Sequence, residues 1–272
     1  MKFITPVADE KFSISEAPKW PKMLFKTDAK GPHTWHWNMS WRDFEKNGVA
    51  STHGNEWDAA VAVVNLGGKL SVRAQAGKST ATIAVELQGS NPTQYEVTKF
   101  LEKEPNANGF GKILAKESKF EHFSYGQPIK SFDNGFGMCQ LTTPRPQYIQ
   151  VWNWKLNVQG GLALYAQKKK EAITYLSQDK RTYTDDQLLR ETVSRWNGGS
   201  YHEWKNDKWQ RKDNVLCDSL TGNIGWDMSD KENRGKTESK LRDRDKAGYS
   251  KAPTSKSHWM YSGVCYADQL LR

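Results

Sequence analysis

Glu117 is a carboxylate at a position where an amphipathic helix would carry an apolar residue. In the segment "GFGKILAKESKF", a helical repeat places Phe110, Ile113 and Leu114 on one face. Seven residues after Phe110 the repeat returns to that face, at Glu117. Burial among apolar side chains favours the protonated carboxylic acid, and such a group can protonate a leaving oxygen. The alternative is a helix-end glutamate paired with a neighbouring lysine or a distant arginine.

A second polar segment, "SFDNGFGMCQ" (Ser131–Gln140), follows Glu117. Its Gly-x-Gly core predicts a turn that brings backbone close to a ligand. A dinucleotide fingerprint does not fit, because Gln140 stands where the third glycine would fall and no strand–turn–helix pattern surrounds the segment. Asp133 is either a working carboxylate or a simple turn residue, since Asp-Asn-Gly is a common loop sequence.

Four short motifs stand in a fixed order along the chain. They are Glu117–Ser118, then Gly137–Met138–Cys139–Gln140, then "NVQGG" (Asn157–Gly161), then "WNGG" (Trp196–Gly199). This series resembles the lysozyme-like superfamily of goose-type lysozymes and lytic transglycosylases. That family has a catalytic Glu-Ser at a helix end, followed by Gly-Leu-Met-Gln, Asn-Ile-x-x-Gly and Ala-Tyr-Asn-x-Gly. The resemblance covers about residues 95–204, together with a final helix near 259–271.

The resemblance implies cleavage of the β-1,4 bond between N-acetylmuramic acid and N-acetylglucosamine in peptidoglycan, with Glu117 as general acid. Glycosidases commonly use two carboxylates. Some goose-type enzymes have an acidic residue two places after the glutamine, and here that place is Thr142. Asp133 is then the nearest carboxylate in sequence. If Asp133 activates water, the enzyme is an inverting hydrolase; otherwise Glu117 acts with the substrate's N-acetyl group, as in lytic transglycosylases.

Further residues are candidates for binding the sugar. An amide side chain offers both a donor and an acceptor to acetamido groups, and a flat aromatic ring can stack on a sugar. Trp196 stands where the family has tyrosine, so a tyrosine hydroxyl is lost there. The alternative for each aromatic residue is core packing. The predicted substrate-binding residues are Ser118, Tyr125, Gln140, Asn157, Trp196 and Asn197.

The bulk composition restricts the classes of partner. The formal net charge of +9 favours a polyanionic partner such as nucleic acid, anionic lipid or an acidic wall polymer. No nucleic-acid-binding motif is present, and the chain offers no apolar run long enough to span a membrane. The three cysteines are widely spaced, so we expect neither a zinc site nor a disulfide, and we expect Cys139 and Cys265 to be buried thiols. No metal or organic cofactor is predicted.

Two periodicities divide the chain. "TWHWNMSW" (Thr34–Trp41) alternates strictly, which predicts a half-buried strand whose three tryptophans serve core or inter-domain packing. Gly67–Gly68 suggests a hairpin between two apolar runs. After Pro92 the period becomes helical. Thr184 and Gln187 have the spacing of a capping box at the start of a helix that ends before Gly198.

The predicted fold class is therefore α+β, with a small N-terminal β-sandwich followed by a mainly α-helical lysozyme-like domain. The sandwich, over residues 1–92, resembles bacterial immunoglobulin-like modules. The helical domain covers residues 93–272 and includes a charged insertion at about 205–257, which is expected to be solvated and poorly packed.

The predicted partners are peptidoglycan glycan strands and an immunity or inhibitor protein, with no nucleic acid, and the protein is expected to be a monomer. The N-terminus shows no signal peptide. We therefore expect action in the periplasm or on the cell wall after delivery by a secretion system or phage lysis, unless the chain is a fragment of a longer one. The competing interpretation is a module that binds glycan without cutting it.

Overall fold

The computed structural model describes residues 1–132 and 134–272. These residues form two compact units. The first contains Met1–Pro105 and Glu117–Gly161, and the second contains Asn106–Lys116 and Leu162–Arg272. The first unit holds the whole of the predicted 1–92 module together with the segment that follows Glu117.

The first unit is built on two sheets. Eight strands supply them: β1 (Phe3–Thr5), β2 (Lys11–Ile14), β3 (Leu24–Thr27), β4 (His33–Trp41), β5 (Phe44–Thr52), β6 (Glu56–Asp58), β7 (Gly68–Ala76) and β8 (Ser79–Gly89). The larger sheet has the order β2-β8-β7-β4-β5, in which only β2 and β8 are parallel, and the smaller sheet has the order β1-β3-β6. Aromatic side chains fill the space between the sheets, since the rings of Trp35 on β4 and Trp57 on β6 stack with centroids 5.9 Å apart.

The alternation in β4 confirms the strand predicted there. Trp35, Trp37, Met39 and Trp41 are all buried, whereas the residues between them are half-buried on the opposite face. Burial of such large side chains is the main source of stability for this unit. The prediction that these tryptophans serve the core is confirmed.

The hairpin predicted at Gly67–Gly68 is wrong. The apolar run before it, residues 59–65, forms turns, and Gly68 is the first residue of β7. The actual hairpin turns lie at Arg42–Asp43, between β4 and β5, and at Gly77–Lys78, between β7 and β8. Within this run Ala59 and Val63 are buried in the core, whereas Val61 and Val64 are exposed, and short turns of this kind have no period that distinguishes them from a strand.

Short elements complete the first unit. They are the helix α1 (Gln94–Leu101), the hairpin β9 (Phe123–Ser124) and β10 (Gln127–Pro128), and the helix α3 (Tyr148–Trp152). Two further helices, α2 (Phe110–Ser118) and α4 (Trp154–Leu176), each contribute residues to both units.

The second unit combines helices and strands. Its other helices are α5 (Asp185–Trp196), α6 (Glu238–Asp245) and α7 (Gly263–Leu270), and its strands are β11 (His202–Lys205), β12 (Lys208–Arg211), β13 (Val215–Cys217), β14 (Ile224–Asp227) and β15 (Met260–Tyr261). Thr184 caps α5 by accepting a hydrogen bond from the Gln187 backbone, as predicted, and Gly198 follows its end with φ of +83°.

The predicted fold class needs correction. Besides its helices, the second part of the chain contains five short strands, β11–β15, within residues 202–261. The described residues as a whole are 29% helical and 28% strand, with five sheets. Strands of two to four residues that contain Lys, Arg, Glu and Asp have no apolar periodicity, so the sequence pattern did not reveal them.

The charged segment at about 205–257 is packed, contrary to expectation. Ile224, Trp226, Leu241 and Trp259 form a small buried cluster of their own. The Asp218 carboxylate is also buried, and the Arg242 Nε donates to its Oδ1 at 2.8 Å. Charged residues therefore pair with one another around an apolar centre in this segment.

The cysteine prediction is partly wrong. Cys217 and Cys265 form a disulfide, with Cα atoms 5.3 Å apart, which joins β13 to α7. Cys139 is a buried thiol, as predicted. A separation of 48 residues gives no sequence signal for such a pair. Over the described part of the chain, no helix is long and apolar enough to cross a membrane.

Candidate active site

Glu117 lies in the last turn of α2. Phe110, Ile113 and Leu114 are fully buried, so the apolar stripe predicted for this helix is confirmed, and Glu117 itself is half-buried. The helix ends because the next two residues, Lys119 and Phe120, have φ of +54° and +64°. The carboxylate thus stands at the point where helix gives way to loop.

The hairpin β9–β10 displays an aromatic ring at its tip. Tyr125 and Gly126 form the two-residue turn with φ of +51° and +75°, which is the twist that suits a tight hairpin. A bulky residue rarely adopts a positive φ, because its Cβ crowds the backbone. Tyr125 is nevertheless there, and it is 100% exposed. Its ring is therefore accessible to a ligand.

A tight loop over residues 136–141 faces the end of α2. Phe136 and Leu141 exchange two backbone hydrogen bonds of 3.1 Å, which close the loop. Gly137 within it has φ of +70°, and a Cβ there would lie 2.4 Å from Cε1 of His122 and 2.7 Å from Nδ2 of Asn157. Glycine is required at this position for both reasons.

Two buried side chains hold this loop by its backbone. Asn157 accepts a hydrogen bond from the Cys139 N–H at 2.9 Å and donates to the Phe136 carbonyl at 3.0 Å. His122 accepts from the Met138 N–H at 3.1 Å through Nδ1, so its Nε2 carries the proton and donates to the Val151 carbonyl at 2.8 Å. The predicted sugar contact Asn157 is fully buried and acts within the protein.

His122 is neutral in this setting. Burial lowers its pKa to about 4, against a smaller opposing effect of the bond to the Val151 carbonyl. The sequence analysis did not identify His122, and an isolated histidine beside an apolar residue offers no signal that would have done so.

The loop is linked directly to the candidate acid. Gln140, with φ of +49°, donates a hydrogen bond from Nε2 to the Glu117 backbone carbonyl at 2.9 Å. Burial and then the charge of Glu117 raise the pKa of the Cys139 thiol, which places the carboxylate within electrostatic reach of Cys139. The structure therefore brings Glu117, Gln140 and the 136–141 loop together.

The remaining predictions for this region have separate outcomes. Ser118 is half-buried beside Glu117, and its carbonyl accepts the Glu121 N–H at 2.9 Å. Thr142 is exposed just after the loop. Asp133, the candidate second carboxylate, lies outside the described residues.

Trp196 and Asn197 belong to the second unit. Trp196 is half-buried and packs edge-on against Phe110, with ring centroids 5.5 Å apart, and against Tyr165 at 6.3 Å. Asn197 ends α5, and its Nδ2 is buried with no hydrogen-bond partner in the part of the chain that the structure describes. A buried amide donor without a partner is uncommon in folded proteins.

Glu191 is a second carboxylate that the sequence analysis missed. It lies on the buried face of α5, where the helical test applied to Glu117 would also have found it. Its Oε2 accepts hydrogen bonds from the backbone N–H groups of Tyr201 and His202, both at 3.0 Å, and Arg195 pairs with its Oε1 at 2.9 Å. Although burial raises the pKa of Glu191, the hydrogen bonds from the side chain and backbone of His202 and the charge of Arg195 outweigh it and lower the pKa overall. Glu191 is thus a structural anion.

The described residues contain no group of three or more His, Cys, Asp and Glu side chains arranged to hold a metal ion. No protein-family model matches the chain, and no curated protein is significantly similar to it.

Proposed function

We propose that the protein is a peptidoglycan muramidase that cleaves the β-1,4 bond between N-acetylmuramic acid and N-acetylglucosamine, with Glu117 as general acid. The observation that carries the proposal is the pairing of this helix-end glutamate with the Gly137–Gln140 loop. Gln140 binds the Glu117 carbonyl, and the loop is fixed by His122 and Asn157. Two motifs of the resemblance that lie about 20 residues apart in the chain are thus joined by a hydrogen bond.

In the proposed reaction, Glu117 donates its proton to the glycosidic oxygen as the C–O bond breaks, and positive charge develops on the sugar ring. The Glu117 carboxyl is half-buried in the last turn of α2, beside the loop that Gln140 links to it. The second participant is either water activated by Asp133, which yields the hydrolysed sugar, or the substrate's own N-acetyl group, which leads to a 1,6-anhydro product.

Sugar binding is proposed for Ser118, Tyr125 and Gln140 in the first unit. The fully exposed ring of Tyr125 offers a stacking platform, and the Gln140 side chain retains an amide oxygen for an acetamido N–H. Trp196 and Asn197 are proposed as sugar contacts from the sequence resemblance alone.

The setting proposed for this activity is the periplasm or the cell wall, where the protein would act as an antibacterial effector or lysin. An immunity protein that covers Glu117 would protect the producing cell. The net charge of +9 favours association with an anionic wall.

The experiment that tests the activity is mass spectrometry of material released from purified peptidoglycan sacculi by the protein. The proposal predicts disaccharide muropeptides, and their reducing or 1,6-anhydro ends would identify the mechanism. Sacculi that bind the protein but release no muropeptides would overturn the proposal and support a non-catalytic glycan-binding module instead.

A further inference from the structure

The outer face of the five-stranded sheet carries a row of alternating charge. In the strand register, Lys11 on β2 pairs with Glu86 on β8, Glu86 pairs with Lys69 on β7, and Lys69 pairs with Ser40 on β4. Because residues directly opposite one another point to the same side of a sheet, these four side chains form one line across four strands. All four are exposed or half-buried.

This row borders a groove of about 670 Å³, which Trp41 and Gln127 also line. Gly68 forms part of its floor with φ of +103°, and a Cβ there would lie 2.5 Å from the Ser40 carbonyl oxygen. Glycine at this position lets β7 pass close to the end of β4. Gln127 comes from the β9–β10 hairpin, and its Nε2 donates to Glu86 Oε1 at 2.9 Å. One hairpin therefore contributes a wall of the groove and, two residues earlier, the exposed Tyr125.

Only some of the charges around the groove are paired with one another. Lys11 on β2 forms a long ion pair of 4.0 Å with Glu86 on β8. Lys69, Arg42 and Asp9, which also line the groove, make no ion pair or side-chain hydrogen bond with any other described residue. The Arg42 guanidinium instead lies 5.1 Å from the centre of the Trp41 ring. Lys69 lies directly opposite Glu86, yet it forms no ion pair with it, so pairing across the strands does not account for Lys69.

We propose that this groove binds a short peptide that carries both free carboxylates and a free amino group. Lys69 and Arg42 bind the carboxylates, and Asp9 and Glu86 bind the ammonium group. The identification of this peptide with the peptide stems of peptidoglycan rests on the proposed function, whereas the binding chemistry does not. The β module would then hold the stem while Tyr125, on the hairpin beside it, contacts the glycan.

Isothermal titration calorimetry with the synthetic pentapeptide L-Ala-γ-D-Glu-L-Lys-D-Ala-D-Ala tests the proposal. We expect saturable binding by the wild-type protein and binding that is lost when the peptide's amines are acetylated and its carboxylates amidated. Lys69→Gln and Glu86→Gln should each weaken binding about fivefold, the scale of one partly exposed ion pair. Arg73→Gln is the matched control, because Arg73 is exposed on the same face of β7 but does not line the groove, and it should bind as the wild type does.

Equal binding of the blocked peptide, equal loss in all three variants, or no binding would each overturn the proposal. Glu117→Gln keeps the groove intact and should bind the pentapeptide as tightly as the wild type does. If the protein releases muropeptides but does not bind the pentapeptide, the proposed peptide site is wrong and the proposed muramidase activity stands. If the protein binds the pentapeptide but releases no muropeptides, the proposed muramidase activity is wrong and the proposed peptide site stands.

Discussion

At the scale of single residues, two glutamates show what a sequence pattern can and cannot predict. Glu117 and Glu191 both lie on apolar faces of helices, and the helical repeat identifies each of them. Their partners separate their roles, because Glu191 is fully buried and holds two backbone N–H groups and Arg195. Those partners are Tyr201, which precedes β11, His202, which begins it, and Arg195 on the same helix, and β11 had no sequence signal. The helical pattern therefore identifies candidate carboxylates, but it does not predict whether a carboxylate has a catalytic or a structural role.

His122 predicts a specific dependence of stability on acid. The unfolded histidine binds a proton below its ordinary pKa of 6.5, whereas the folded one does so only near 4, because burial disfavours the charged imidazolium. The unfolded state therefore gains protons first, and stability is lost as the pH falls from about 6.5 to about 4. The full loss is roughly 3 kcal/mol.

Thermal melts of the wild type and His122→Gln between pH 4 and pH 7 measure this effect. His122→Gln should be less stable at pH 7 but should lose less stability on acidification than the wild type does. His53→Gln replaces an exposed histidine in the same unit and should melt with the wild-type pH dependence. Identical pH dependence in the wild type and His122→Gln would show that His122 is not held neutral.

At the scale of elements, the 136–141 loop depends on a close approach that only glycine permits. Gly137→Ala combines a left-handed φ with a Cβ 2.4 Å from His122, whereas Gly198→Ala has a similar φ of +83° and nothing within 4 Å. We expect Gly198→Ala to cost about 1 kcal/mol of stability, from backbone conformation alone. Gly137→Ala should cost clearly more and should also lower the proposed muramidase activity, since the loop that binds Glu117 must shift.

Urea denaturation of the two alanine variants, each with an activity assay, gives the comparison. Equal costs for both variants would mean that the loop does not pack against His122 as described. Retention of full activity by a destabilised Gly137→Ala would separate the loop from the chemistry.

Elements differ in how far the sequence predicts them. The strand β4 and the helix α5 were predictable, because β4 alternates over nine residues and α5 has both a capping box and a terminal glycine. The strands β11–β15 were not, because each is short and its stabilising contacts come from residues distant in sequence. The prediction of helices after Pro92 therefore missed these five short strands.

At the scale of the whole molecule, the Cys217–Cys265 disulfide closes a segment of 48 residues that includes β14, α6 and β15. Cross-linking limits the conformations of the unfolded chain, so its removal should cost about 2 to 4 kcal/mol. Melts with and without dithiothreitol measure this cost, and Cys217→Ser with Cys265→Ser should abolish the difference. Cys139→Ala should keep it, because Cys139 is a buried thiol. A wild-type melt that is insensitive to reductant would contradict the disulfide.

The assignment of Glu117 as general acid is tested most directly by the rate at which Glu117→Gln releases soluble muropeptides from purified sacculi. Glu121→Gln is the matched control, since Glu121 is exposed four residues further along the chain. Loss of a general acid typically costs a factor of about 100 or more, so Glu117→Gln should fall by at least that amount while Glu121→Gln stays near the wild-type rate. Release by a folded Glu117→Gln at the wild-type rate would contradict the assignment.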